Sequence, residues 1–148
     1  MSRQRRKTSQ YHRKGKNLIA ANKIKPEQWQ ISNTEAKEAL KAKGYDVKQI
    51  KKIHCLKHQV SISFWDTKGN ICSSFFSYRI FARWQTEVEK LVYTCDTLKA
   101  WTKLNHILGY EFAYYSYPRE MEDAIQVVLE NHLCVLKATD IQAVFSVI

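Results

Sequence analysis

Gln59-Val60-Ser61-Ile62-Ser63-Phe64-Trp65, followed by Asp66-Thr67-Lys68-Gly69-Asn70, is the stretch on which the fold turns. Val60, Ile62 and Phe64 alternate with Ser61, Ser63 and Trp65. A period of two sends successive side chains to opposite faces of a strand. The next five residues favour a reversal, and Gly69 can take the positive φ that a tight turn needs. Ile71 to Tyr78 then reads as the return strand. A hairpin over 59–78 is the fixed point from which the rest of the chain is read.

Upstream, Ser32-Asn33-Thr34-Glu35 has the form of a capping box, with Ser32 at the N-cap and Glu35 three residues on. Ala36, Ala39 and Leu40 then share one helix face, and Gly44 suits the stop. Tyr45 follows, and Asp46 offers a cap for a second helix. Val47, Ile50 and Ile53 recur every three residues, which predicts a short helix over 46–54 with Lys48, Lys51 and Lys52 in water. A helix–turn–helix-like pair followed by a β-hairpin is winged-helix-like order. In such folds the second helix enters the major groove and the hairpin touches the flanking backbone. Lys43 and Leu40 suit that turn poorly, and the same residues also fit an ordinary helix pair with a solvated lysine face.

Downstream, spacings of three and four predict three helices and so a helix-rich C-terminal half. One stripe is Ile80, Phe81, Trp84, Val88, Leu91 and Val92. A second is Leu98, Trp101, Leu104 and Leu108, ended by Gly109. A third is Met121, Ile125, Val128, Leu129 and His132. Tyr110 to Tyr117 is aromatic and strand-like, and its rings, with Phe75, Phe76 and Tyr78, would build a core or a dimer contact, or stack on single-stranded bases. Ile141, Val144, Phe145 and Ile148 fit an apolar helix face. The expected class is α+β.

Charge divides the chain unevenly. Residues 1–25 hold nine Lys and Arg and no acid, whereas residues 59–148 hold eight against ten. A block of like charge with few apolar residues does not fold alone, so 1–25 reads as a flexible basic arm and 26–148 as a single α+β domain. The natural partner of such an arm is a polyanion, since each Lys or Arg that meets a phosphate releases a condensed counterion. Arg3, Arg5, Arg6, Lys7, Arg13, Lys14 and Lys16 would track phosphates, with Tyr11 able to stack. Leu18, Ile19 and Ile24 allow a short helix near 16–24. Lys48, Gln49, Lys51 and Lys52 would face bases from the second helix, and Lys68 would meet a phosphate from the hairpin tip. The expected function is non-catalytic nucleic-acid binding, DNA ahead of RNA, and the chain could also pair as a homodimer.

Two enzyme readings use other residues. A metal-dependent endonuclease would draw on Asp66, Glu87, Glu89 and Lys90, with Mg²⁺ as its only cofactor. An RNase toxin would use His54 and His58 as acid and base. A ribosome- or RNA-associated scaffold protein is a further alternative. Cys55, His58 and Cys72 carry zinc-ligand chemistry, but a firm zinc site would show two tight pairs. No Gly-rich phosphate loop and no nucleophile elbow occurs, which speaks against nucleotide-driven and α/β-hydrolase chemistry. No apolar run reaches the roughly eighteen residues of a membrane span. The basic start lacks the apolar segment of a secretory signal, although a transit peptide shares its composition. With four cysteines and no export signal, the expected location is cytoplasmic, with reduced thiols.

Overall fold

The computed structural model describes residues 17–147, and side chains as far as Asp140. Residues 1–16 of the arm expected over 1–25, and the side chains of Ile141, Val144, Phe145 and Ile148, lie outside the described residues. The fold is mixed α+β. In chain order it contains α1 (Asn33–Ala42), β1 (Gln49–Cys55), β2 (Val60–Trp65), β3 (Ile71–Phe76), α2 (Ala82–Tyr93), α3 (Leu98–Tyr114) and α4 (Arg119–Val147), with short 3-10 turns at Pro26–Gln28 and Tyr78–Ile80. The described residues form two compact units, 24–84 and 17–23 with 85–147, divided within α2.

In the unit of residues 24–84, the strands form one antiparallel sheet in the order β1-β2-β3. Directly opposed residues of an antiparallel pair share a face. The register therefore places Ile50, Phe64 and Cys72 in one inward row, Ile53, Ile62 and Ser74 in the next, and Cys55, Val60 and Phe76 in the third. Val60, Ile62 and Phe64 are fully or almost fully buried. Each such side chain contributes about 1.5–3 kcal/mol when removed from water. Alpha1 packs on β1 through Ala36, Ala39 and Leu40, and Tyr45 meets Phe64 and Phe76 edge-on. Trp29 lies edge-on to both Tyr78 and Trp84.

The helix expected over 46–54 is a correction: residues 49–55 are strand β1. The register steps by one residue on β2 but by two on β1 between Ile50 and Lys52, a β-bulge at Lys51. The extra residue stretches the inward spacing of Ile50 and Ile53 from two to three. A bulged strand thus imitates helical periodicity. Asp46, expected as a helix cap, instead accepts from the Thr67 amide at 3.2 Å and the Thr67 hydroxyl at 2.6 Å. No helix–turn–helix pair forms here.

Alpha1 itself begins and ends as its sequence indicates. Ser32 Oγ accepts from the Glu35 amide at 3.1 Å. Gly44, at φ +95°, closes the helix with amide bonds from Gly44 to Lys41 O and from Tyr45 to Leu40 O, a Schellman stop. The Glu35 carboxylate does not close the capping box. It takes a two-pronged bond from Arg83, at 2.9 and 2.6 Å, which fastens α1 to the start of α2.

In the unit formed by residues 17–23 and 85–147, α2, α3 and α4 carry Val88, Val92, Leu104, Leu108, Met121, Ile125, Leu129 and Leu136 to the interior. The Trp101 indole N–H donates to Leu129 O at 3.0 Å, linking α3 to α4. Alpha3 does not stop at Gly109, which keeps an ordinary helical φ; it continues to Tyr114 and absorbs most of the stretch expected as a strand.

Residues 17–23 form a single capped turn. Asn17 Oδ1 accepts from the Ala20 amide at 2.7 Å, and Asn22 closes the turn at φ +58°, with Lys23 N–H reaching Leu18 O. Leu18 and Ile19 are buried here, and Ile24 is buried in the other unit, so packing begins well before the compositional boundary at residue 25. Buried Glu111 receives the Leu18 amide at 2.9 Å and the Tyr117 hydroxyl at 2.6 Å, while the Asn17 amide donates to Tyr115 Oη.

Candidate nucleic-acid interface

An antiparallel sheet can cover one face and leave the other in water. The outward face is a grid fixed by the same register. Gln49, Trp65 and Ile71 form one row; Lys52, Ser63 and Ser73 the next; His54, Ser61 and Phe75 the third. The bulge adds Lys51, whose ammonium lies 5.7 Å from the centre of the Trp65 ring. A solvated face is ordinary, but large apolar side chains left on it are less so. Ile71 is 56% exposed and Phe75 57%. Trp65 is half-buried, and Gln49, Lys51, Lys52 and His54 are exposed.

The face has high ends and a low middle. Trp65 and Ile71 stand at one end and Phe75 at the other. Between them lie serines, with the Ser63 and Ser73 hydroxyls bonded at 2.8 Å. No acidic side chain belongs to the grid. The nearby carboxylates are held in the turn: Asp46 by Thr67, and Asp66 by the amides of Lys68 and Asn70 at 3.0 and 2.8 Å. The Asn70 amide holds the Asp66 carboxyl below the usual carboxylate range. Lys68 is exposed at this tip, as is Lys48 just before β1.

Charge follows the same division. Residues 24–84 contain eleven Lys and Arg against five Asp and Glu, whereas 17–23 with 85–147 contain six against nine. The unit bearing the open sheet is the cationic one. Lys48, Gln49, Lys51 and Lys52, expected on a helix, are brought together on or beside a strand. Sequence reasoning did not name Trp65, Ile71 or the serines as candidate binding residues. Their signal was the polar half of the β2 alternation, which ends in a tryptophan.

The other candidate sets are not assembled. Cys55 and Cys72 point inward from β1 and β3, with β2 between them and four residues of offset along it. Strand spacings of about 4.8 Å and rises of about 3.3 Å put them well over 10 Å apart, so they cannot share a zinc ion with His58. Burial pushes the Cys55 thiol up, against the pull of the Tyr78 hydroxyl. His54 faces outward in the grid, while His58 lies in the β1–β2 connection. Of the endonuclease residues, Asp66 caps its own turn, Glu89 accepts from Gln85 at 2.7 Å, and Glu87 lies 4.0 Å from Lys90. No group of three or more His, Cys, Asp or Glu that could hold a metal occurs among the described residues.

Within residues 17–23 and 85–147, a cavity of about 480 Å³ opens beside the first turn of α3, lined by Lys23, Lys99, Lys103, Thr94, Thr97, Cys95 and apolar neighbours. Neither carboxylate nor histidine lines it. In the stretch 110–117, Tyr115 and Tyr117 are half-buried and hydrogen-bonded, which is a structural use of the rings. No helix among the described residues is long and apolar enough to cross a membrane. No family model, curated protein or solved structure matches this chain.

Proposed function

We propose that this chain is a non-catalytic nucleic-acid-binding protein whose folded contact surface is the outward face of the β1-β2-β3 sheet. The observation that carries the reading is an acid-free face on which Lys51 and Lys52 flank exposed aromatic and apolar side chains, in the cationic unit of the chain. Lys48 and Lys68 extend the positive edge at the turn end of the sheet. The seven cations of residues 1–16 add a sequence-independent grip on phosphates. An acidic protein would satisfy the lysines as well, but it would leave the rings without a matching surface. Nucleic acid supplies phosphates and flat bases together.

The test is binding measured against salt. On duplex DNA each phosphate contact contributes about 0.9 to the slope of log K against log salt, and on single strands about 0.7. The Lys51→Gln, Lys52→Gln double variant should lower that slope by about 1.4–1.8. Removing residues 1–16 should lower it further while keeping Leu18, Ile19 and Ile24, which a truncation at residue 25 would strip from their packing. An unchanged slope in the double variant would remove the sheet from the account. Affinity for DNA and RNA no greater than that of an unrelated protein of equal charge would remove the function.

A further inference from the structure

The grid on the sheet also carries information about the form of the polymer. A duplex offers phosphates and groove edges, but its base faces are closed by stacking. Single strands expose those faces, and aromatic side chains on a sheet stack against them. A surface built for a duplex needs cations above all. This face has two lysines and three large apolar groups, two of them aromatic.

The spacing of the two rings fits successive contacts along one strand of nucleic acid. Trp65 and Phe75 lie on neighbouring strands, four residues apart in register. With a rise of about 3.3 Å per residue and a strand spacing of about 4.8 Å, their backbones are about 14 Å apart. The serines between them keep the floor low, so a chain can lie across the sheet from one ring to the other. Whichever of Ser63 and Ser73 donates to the other, the acceptor keeps its own hydroxyl hydrogen for a base edge. The Lys51 ammonium lies 5.7 Å from the centre of the Trp65 ring, close enough to reach the phosphate of a base stacked there once it gives up the ring face.

We propose that the sheet binds unpaired, single-stranded nucleic acid, with bases stacked on Trp65 and Phe75 and the intervening backbone held by Lys51 and Lys52. This rests on the nucleic-acid reading above and narrows it to one form of the polymer. The chemistry is shared by single-stranded DNA and RNA.

The experiment is fluorescence anisotropy of the full chain with end-labelled oligonucleotides: a mixed-sequence DNA single strand, the same sequence as RNA, and the blunt DNA duplex. At least one single strand is expected to bind about tenfold or more tightly than the duplex. Trp65→Ala and Phe75→Ala should each weaken it by between about fivefold and about a hundredfold, the worth of one stacked base. Trp65→Phe should keep most of the affinity and lose the ligand-induced quenching of tryptophan emission. Phe75 is the safer variant for folding, being mostly exposed, and an unchanged unfolding midpoint verifies each protein. Equal or tighter duplex binding, or single-strand affinity indifferent to both ring deletions, would overturn this inference while leaving nucleic-acid binding intact. Failure of all three polymers to bind would overturn both.

Discussion

Deletion of Lys51 tests the central structural claim, that a bulge and not a helical repeat separates Ile50 from Ile53. Ile50 opposes Phe64 and Lys52 opposes Ser63, so their partners on β2 are already adjacent. Joining Ile50 directly to Lys52 leaves every remaining pair in place and turns β1 into a regular strand, with Ile50, Ile53 and Cys55 still inward. The loss is the Lys51–Trp65 contact, worth about 0.5–1 kcal/mol at an exposed site. It is offset in part by removing an unpaired residue from the ladder. The net change in stability should stay within about 1 kcal/mol.

The control is deletion of Ser63. Beta2 has no bulge, so a one-residue slip must turn either Phe64 or the pair Val60 and Ile62 to solvent. That should cost about 3–5 kcal/mol, the scale of losing a buried aromatic. Urea unfolding followed by tryptophan emission and circular dichroism separates the two proteins. A Lys51 deletion that costs more than about 2 kcal/mol, or that matches the Ser63 deletion, would refute the bulge argument.

Two further outcomes follow from the hydrogen bonds. Glu111→Ala leaves the buried Leu18 amide and Tyr117 hydroxyl without their acceptor and should cost about 2–5 kcal/mol, with Glu111→Gln near half of that; urea unfolding and amide exchange at Leu18 check it, and exchange as slow as in the parent would refute it. The folded Asp66 carboxyl is held below its unfolded value, so its stabilisation is present above about pH 4 and is lost as pH falls through the folded value. Asp66→Asn should therefore flatten the acid limb of a plot of unfolding midpoint against pH, and superimposable acid limbs would count against the turn bonds.

The legible parts of this sequence were those whose local chemistry and tertiary use agree. Alternation in β2, Gly69 in the turn, the Ser32 cap and the Gly44 stop each answer to one short-range rule, and the structure follows them. Residues 46–54 broke the pattern because a bulge is a pairing property: nothing within β1 announces that β2 will skip it. Asp46 and Glu35 looked like helix caps because their partners, Thr67 and Arg83, are distant in sequence. Gly109 looked like a helix end, yet packing of Leu108 and Glu111 carries α3 through it. The candidate interface was half legible. Its lysines stood out by charge and Phe75 as one ring of an aromatic set, whereas Trp65 became a binding candidate only once the register set it on the uncovered side.

The turn at residues 17–23 has a mechanical consequence. Its anchorage joins Asn17 to Tyr115 and the Leu18 amide to Glu111, closing loops of more than ninety residues, so a tug on the chain at residue 17 is carried by the end of α3.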